Sequence, residues 1–365
     1  MVKWYLLLLC ALPVQASWLS EQRQALAREA VRLDMLAEQP WPVLLANTLR
    51  RGDQGPVVLA LAQLLIRTGD LQGPASDLFD ARLQQAVRIF QRRHGLPADG
   101  VVGVDTHAAL AVPPAQRLLQ VQQTLSRMAQ FHPAAEQLVV NIPAFTLLWL
   151  SDDRVRLRSR VVVGKPSRPT PQLHSAITAV ELNPFWNVPY SIFRKDYLPR
   201  LRWLGPAYLQ QHRLEIVVGY GAATEIIPTP AELPKPWPAD WRLRQQSGAA
   251  NALGQIKFVM PNRQAIFLHD TNQPQLFSQP VRAYSSGCVR VELALELASA
   301  LLGGRGDWQL ALFEGRQLRL ELDTPLPIAL VYWTAWVDER GQLQLRDDLY
   351  NVTNSSSNSL EVVKN

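Results

Sequence analysis

A cysteine beside a glycine, with a histidine upstream, supplies the residue types of a thiol nucleophile and its proton carrier. They stand in the run IFLHDTNQPQLFSQPVRAYSSGCVRVE (266–292), where His269 ends an apolar stretch and, after a spacer of about fifteen residues, Ser285-Ser286-Gly287-Cys288-Val289-Arg290 follows. The thiolate is the reactive form of cysteine, and a helix start or nearby cations favour it. A helix is expected from about Val291 to Leu302, with Cys288 just before it. An imidazole delivered from a neighbouring strand makes His269 the general base, then the acid, for Cys288. Bare glycine backbone lets the N–H groups of Gly287 and Cys288 approach a reacting carbonyl as an oxyanion hole, with Ser286 beside them. The group that orients His269 is the backbone carbonyl or the carboxylate of Asp270. The competing reading of Cys288 is a small buried apolar residue.

Other side chains are expected to meet a ligand. Arg290 is placed to bind a carboxylate or to favour the thiolate, with a structural salt bridge as the alternative. Ser285 is counted with it. Trp186 and Asn187, in LNPFWNVPYSI (182–192), are expected along a cleft, although core packing suits Trp186 equally. No Ser-x-x-Lys nucleophile motif is present. His94, His107, His132, His174 and His212 lack metal-ligand spacing and read as surface or loop residues, so neither a metal nor a cofactor is expected.

These residues need a frame. The chain has 365 residues, room for two or three domains. Apolar residues at 47% and charged residues at 19% exclude a disordered or collagen-like chain. The net charge is +6, with 37 basic residues against 31 acidic ones and no dense Lys/Arg block. That balance argues against a nucleic-acid partner and suits an anionic polymer. Residues 1–16 read as a secretory signal: Lys3, an apolar core from Trp4 to Leu12, and Val14-Gln15-Ala16 before Ser17. The apolar run is too short for a permanent span, and no later stretch qualifies, so the mature protein is expected to lack a transmembrane segment. An uncleaved anchor, or lipidation at Cys10, is the alternative. Cleavage would leave Cys288 as the only cysteine, which removes an internal disulfide as the reason for its presence.

Residues 17–50 carry helical spacing and form the first part of a helical scaffold. Within 51–113, Pro56 opens a helix through Leu65 with Gly69 as its stop. Asp80 caps a second helix with Leu83, Ala86, Val87 and Phe90 on its apolar face, and Asp105 is expected to cap a third. Residues 114–135 resume the scaffold, so this three-helix module is an insertion. From Leu138 the period changes to two, and the catalytic unit is expected over 136–350. Arg156, Arg158 and Arg160 share one strand face, read as solvated or as holding anionic polymer. Around 192–254 the prolines 228, 230, 234, 236 and 238 forbid a continuous ladder, which marks an insertion able to act as a lid. The Asn/Ser-rich tail 351–365 is expected to be disordered.

Two stretches resemble known families. AVRIFQRRHGLPADGVVGVDTHAAL (86–110) resembles the peptidoglycan-binding module of wall enzymes through Phe90, Gln91, Gly95, Leu96, Asp99, Gly100, Gly103 and Thr106. Residues 266–292 resemble the signature of the L,D-transpeptidases with a YkuD-type catalytic domain. Ser286 stands where the family usually has a second histidine, and in this the chain is similar to the long periplasmic YcbB-like branch. VVVGKPSRPTP (161–171), LNPFWNVPYSI, NALGQIKFVMPN (251–262) and LRDDLY (345–350) fit the same branch. The resemblance implies an α+β fold: a mostly-β, YkuD-like sandwich with a lid insertion, plus the three-helix module on its helical scaffold. It implies that Cys288 attacks the third residue of a tetrapeptide stem, expels D-Ala and passes the acyl group to a neighbouring stem as a 3→3 cross-link. Peptidoglycan stem peptides and glycan, carbapenem inhibitors, cell-wall synthesis partners and a periplasmic location follow from it. A related Cys-dependent carboxypeptidase or amidase and a non-catalytic wall-binding protein stay open, as does the acceptor, including lipoprotein attachment.

Overall fold

The structure is a computed structural model that describes residues 17–44, 48–219 and 221–352. The expected signal segment and the tail beyond residue 352 lie outside the described residues.

Helix α1 (Trp18–Ala37) starts where the Ser17 hydroxyl accepts the Ser20 N–H, and it buries Leu19, Leu26 and Leu33 at seven-residue spacing. Then come α2 (Pro56–Arg67), α3 (Ala81–Arg93) and α4 (Val104–Ala111). Proline enters α2 in its first turn, and the Asp80 carboxylate caps α3 by accepting the Leu83 N–H at 2.8 Å. Asp105 does not cap α4 as expected. Gly103, in extended conformation, holds the cap position, and Asp105 sits in the first turn, where the helix dipole still favours its charge. Leu61, Leu65, Phe79, Val87, Phe90 and Leu110 give this module its own core. Helix α5 (Pro114–Ala129) returns to pack along α1.

The β core begins with β1 (Glu136–Asn141), β2 (Thr146–Ser151), β3 (Arg154–Gly164) and β4 (Leu173–Leu182). The chain then leaves this sheet to build a second, smaller one. It comprises β5 (Trp186–Asn187), α6 (Tyr190–Ile192), a π-helical turn at Phe193–Tyr197, α7 (Leu198–Leu204), α8 (Ala207–Gln211), β6 (Leu214–Val218), β7 (Glu225–Ile227) and β8 (Arg242–Gln245). Its strand order is β5-β8-β6-β7, packed by Trp186, Phe193, Leu201, Tyr208, Ile216 and Leu243. The main sheet resumes with β9 (Ile256–Val259), β10 (Leu268–His269), β11 (Ala283–Ser285) and β12 (Val289–Val291). After α9 (Ala294–Leu302) and α10 (Trp308–Phe313) it ends with β13 (Leu318–Val331), followed by the hairpin β14 (Ala335–Val337) and β15 (Leu343–Leu345).

The main sheet runs β11-β3-β12-β10-β9-β4-β13-β1-β2, and β2 pairs back onto β3. The expected sandwich is therefore one continuous sheet closed on itself. Its interior holds Leu138, Val140, Phe258, Leu268, Val289 and Ile328, with Leu297 and Trp308 from the last two helices. Alternation puts Val139, Leu148 and Ala329 on the opposite face, beneath α1 and α5, so these strands are buried on both sides. The helix expected from Val291 starts at Ala294, because Val289-Arg290-Val291 pairs instead with β10 and β3. On β3 the arginine stripe is matched by acids: Arg156 lies near Glu136, Arg158 pairs with Glu339 and Arg160 with Glu292.

Candidate active site

Strands β10 and β12 are parallel neighbours, with Leu268 opposite Val289 and His269 opposite Arg290. Cys288 immediately precedes β12, so the imidazole reaches the thiol's neighbourhood from an adjacent strand. His269 is only 4% exposed, and its Nδ1 lies 2.5 Å from the Asp270 carbonyl oxygen. A carbonyl only accepts, so Nδ1 carries the proton and Nε2 keeps the lone pair. Of the two groups Asp270 offers, the backbone carbonyl orients the ring; its carboxylate accepts the Gln255 N–H at 2.9 Å. Burial, reinforced by the Arg290 charge and opposed by backbone contacts at Asp270 and Leu253, pushes the imidazole pKa down to about 3. The ring is neutral at pH 7.

Cys288 is half-buried, and its thiol points to the Ala265 carbonyl at 3.8 Å rather than to the imidazole. Burial pushes the thiol pKa up to about 11, against the Phe267 backbone N–H and the charges of Lys257 and Arg290. The expected pull toward thiolate is thus real for the cations and outweighed by desolvation. The helix contribution falls away, because α9 begins only at Ala294. At rest the thiol is protonated and the imidazole neutral, so an attack by this sulfur would require its proton to move in the same step.

The loop before the sulfur is tied from within. Ser285 is buried; its hydroxyl accepts the Gly287 N–H at 3.1 Å and donates to the Cys288 carbonyl at 2.5 Å. This corrects two expectations. The hydroxyl of Ser285 is committed to the loop rather than to a ligand, and the Gly287 N–H is occupied. Of the two oxyanion donors foreseen, the Cys288 N–H is left, with no partner among the bonds of the described residues. Gly287 has φ +118°, which side-chain-bearing residues rarely adopt, and a Cβ there would press on Ile266 at 3.2 Å.

Arg290 is mostly buried. Its Nη1 donates to Gln273 at 2.8 Å and Thr271 at 3.3 Å, and its Nε is buried without a partner. Among the described residues no carboxylate pairs with it, so the salt-bridge alternative falls and an unmatched guanidinium faces the cleft. Ser286 is exposed, and its hydroxyl accepts Arg168 Nη1 at 2.9 Å. The same guanidinium grips Asp196 of the insertion with both nitrogens. Neither Ser286 nor its neighbours place a second imidazole at the thiol.

A cleft of about 630 Å³ joins these parts and is bounded by the insertion through Trp186, Ile192, Asp196, Tyr197 and His212. Lys165, Arg168, Lys195, Arg200 and Arg290 line it with Asp196 as the single carboxylate, a field suited to an anionic ligand. Trp186 serves both readings: it lines the cleft and packs in the insertion's core, edge-on to Tyr197. Asn187 is exposed and not part of the cleft wall. His212, read from sequence as a surface or loop residue, lines the cleft and packs on Tyr208 at 4.2 Å, whereas His94 is buried against Phe90. Arg168, Tyr197 and His212 carry no local signal that sequence reading can use. Among the described residues no group of three or more His, Cys, Asp and Glu is arranged to hold a metal ion, and no helix is long and apolar enough to cross a membrane.

Residues 135–315 match a family model described as the L,D-transpeptidase catalytic domain, and residues 54–110 match one described as "Putative peptidoglycan binding domain". A curated Haemophilus influenzae protein named "Putative L,D-transpeptidase" is 36% identical over 249 residues, covering 64% of this chain and 47% of its own length. The chain thus spans about half the length of that relative. The crystal structure of an L,D-transpeptidase fragment from Xylanimonas cellulosilytica is 18% identical at a TM-score of 0.25, covering 80% of this chain and 100% of that one. The NMR structure of the catalytic domain of the Enterococcus faecium L,D-transpeptidase, acylated by ertapenem, is 10% identical at 0.27, covering 55% of this chain and 100% of its own. At those scores the overlap carries no argument about geometry.

Proposed function

This chain carries an L,D-transpeptidase catalytic domain at residues 135–315 and a peptidoglycan-binding domain at residues 54–110, and from that premise we propose that it cross-links peptidoglycan stems through an acyl-enzyme on Cys288. The observation that carries the reading is one cationic cleft holding a thiol, a neutral imidazole whose Nδ1 faces the Asp270 carbonyl, and an arginine with no acid partner among the described residues.

In the first half-reaction the sulfur attacks the carbonyl carbon of the third stem residue while Nε2 of His269 takes the thiol proton. The Cys288 N–H faces the developing oxyanion. Collapse breaks the C–N bond, His269 returns its proton to the departing D-Ala amine, and a thioester remains. In the second half, the side-chain amine of another stem attacks the thioester carbonyl and gives its proton to His269. The C–S bond then breaks, and the sulfur leaves with that proton, giving a 3→3 link. Arg290 holds a stem carboxylate. Carbapenems acylate the same sulfur by opening their strained ring onto it.

We place the protein in the periplasm, exported by the segment 1–16, and read the helical module as its hold on the glycan. Incubation of the purified protein with tetrapeptide-bearing disaccharides tests the reaction. Dimers with release of D-Ala support transfer. Tripeptide products alone assign it to the hydrolytic relatives, and no reaction makes it a wall-binding protein. Cys288→Ala is expected to abolish both products with the fold retained, and His269→Ala to slow acylation strongly.

A further inference from the structure

The nucleophile loop is tied from within by Ser285 and also held from outside. Thr170 is 1% exposed, and its hydroxyl donates to the Gly287 carbonyl at 2.7 Å while accepting the Gly164 N–H at 2.8 Å. The peptide plane that carries the Gly287 carbonyl also carries the Cys288 N–H. A trans peptide is planar, so fixing the direction of that carbonyl fixes the opposite direction of the N–H. With the Gly287 N–H spent on Ser285, the Cys288 N–H remains of the two oxyanion donors foreseen. At φ +118°, Gly287 has wide conformational freedom, so the plane's direction comes from these tethers rather than from local preference.

Thr170 is itself held by a residue close to the end of the described chain. The Tyr350 hydroxyl donates to the Gly164 carbonyl at 2.6 Å and accepts the Thr170 N–H at 3.3 Å. Tyr350 is anchored in turn, its own N–H donating to the Tyr332 hydroxyl at 2.9 Å. Gly164 permits the tight turn between them, because a Cβ there would collide with the Arg168 carbonyl and the Thr170 nitrogen.

We propose that Thr170 and Tyr350 are positioning residues that aim the Cys288 N–H at the oxyanion, so that a C-terminal segment outside residues 135–315 completes the catalytic centre. The proposal rests on Cys288 being the acylated nucleophile.

The test uses the full chain with Thr170→Val, Thr170→Ser and Tyr350→Phe, and two reagents. Acylation by ertapenem, followed by intact mass, develops an oxyanion. Alkylation by iodoacetamide develops none and reports only the access and ionisation of the thiol. Thr170→Val is expected to slow acylation roughly 10- to 100-fold with its half-saturating concentration unchanged, since an oxyanion donor acts in the transition state. Tyr350→Phe should slow it roughly 3- to 10-fold by the same route. Alkylation should stay within about twofold in both variants, and Thr170→Ser should restore acylation, because it returns the hydroxyl. Acylation at the unmodified rate in Thr170→Val and Tyr350→Phe overturns the proposal. So does a parallel fall in alkylation, or a serine variant as slow as the valine one. If valine prevents folding, the serine and phenylalanine variants decide alone. Failure of the unmodified protein to be acylated overturns the transpeptidase reading itself.

Discussion

His269 and Arg290 stand opposite each other in a parallel strand pair, so a permanent cation flanks a buried imidazole. Burial first, and the Arg290 charge after it, keep this histidine neutral well below its usual range, with a pKa of about 3. Beside it the thiol stays protonated up to about 11. Acylation by general-base transfer needs the neutral ring and the protonated thiol, and both persist between these limits. The rate of ertapenem acylation is therefore expected to be level from about pH 5 to 9. An inflection between pH 6 and 7 would mean an imidazolium–thiolate pair instead. Linkage gives a second readout. Because the folded pKa lies below the unfolded value of about 6.5, the unfolded chain takes the proton first. Stability from the neutral ring is present above that value and is lost as pH falls toward 3. His269→Gln should flatten that part of the thermal midpoint's pH dependence.

Among the described residues Arg290 has two neutral hydrogen-bond partners and no acid. A guanidinium–carboxylate contact of about 1.5–3 kcal/mol corresponds to roughly 10- to 100-fold in binding. Arg290→Gln should raise KM for the tetrapeptide by that factor and lower kcat less. Steady-state release of D-Ala measures it, and an unchanged KM would remove Arg290 from substrate binding.

Arg168 joins the insertion to the nucleophile loop by gripping Asp196 while donating to Ser286 at 2.9 Å. The pair is partly exposed, at 17% and 32% for the two side chains, so about 1 kcal/mol or less is its worth. Asp196→Asn should therefore leave the thermal midpoint nearly unchanged while amide exchange quickens over residues 190–204. The hydrogen bonds from Arg168 lower the Asp196 pKa. Its contribution is present above the ordinary carboxylate range and lost as pH falls through the lowered value, so the unmodified insertion should loosen in acid. Exchange indifferent to the substitution would show that Arg168 does not hold this segment.

In the helical module Asp70 and Arg93 form a buried pair at 2.5 Å, with side chains 2% and 8% exposed. Removing one partner strands the other charge, at about 3–5 kcal/mol. Asp70→Ala should unfold the module well below the rest of the chain in a calorimetric scan. The double substitution Asp70→Leu with Arg93→Met should recover most of the loss. Equal midpoints for the single variant and the unmodified protein would show the pair to be solvated.

Where local chemistry decides, the chain is readable. Proline at the start of α2 and aspartate before α3 act within one turn, so those helices are legible from neighbours alone. Asp105 misleads because Gly103, two residues earlier, takes the cap. Val289-Arg290-Val291 misleads for the opposite reason: so short a run takes its conformation from the strands on either side.

By its own order of residues the chain determined the candidate thiol and imidazole, the helical module and an interruption in the β core. Each of these depends on side-chain type and on spacing within a few dozen residues. The tertiary structure alone decided which N–H groups stay free, that burial keeps the thiol and the imidazole uncharged, and that Arg290 has no acid partner among the described residues. It also brought Thr170 to the loop that carries Cys288, and Tyr350 to Thr170. These outcomes depend on desolvation and on hydrogen bonds that range from two positions apart, as between Ser285 and Gly287, to more than a hundred, as between Thr170 and Gly287, and both take their final form only once the sheet has closed.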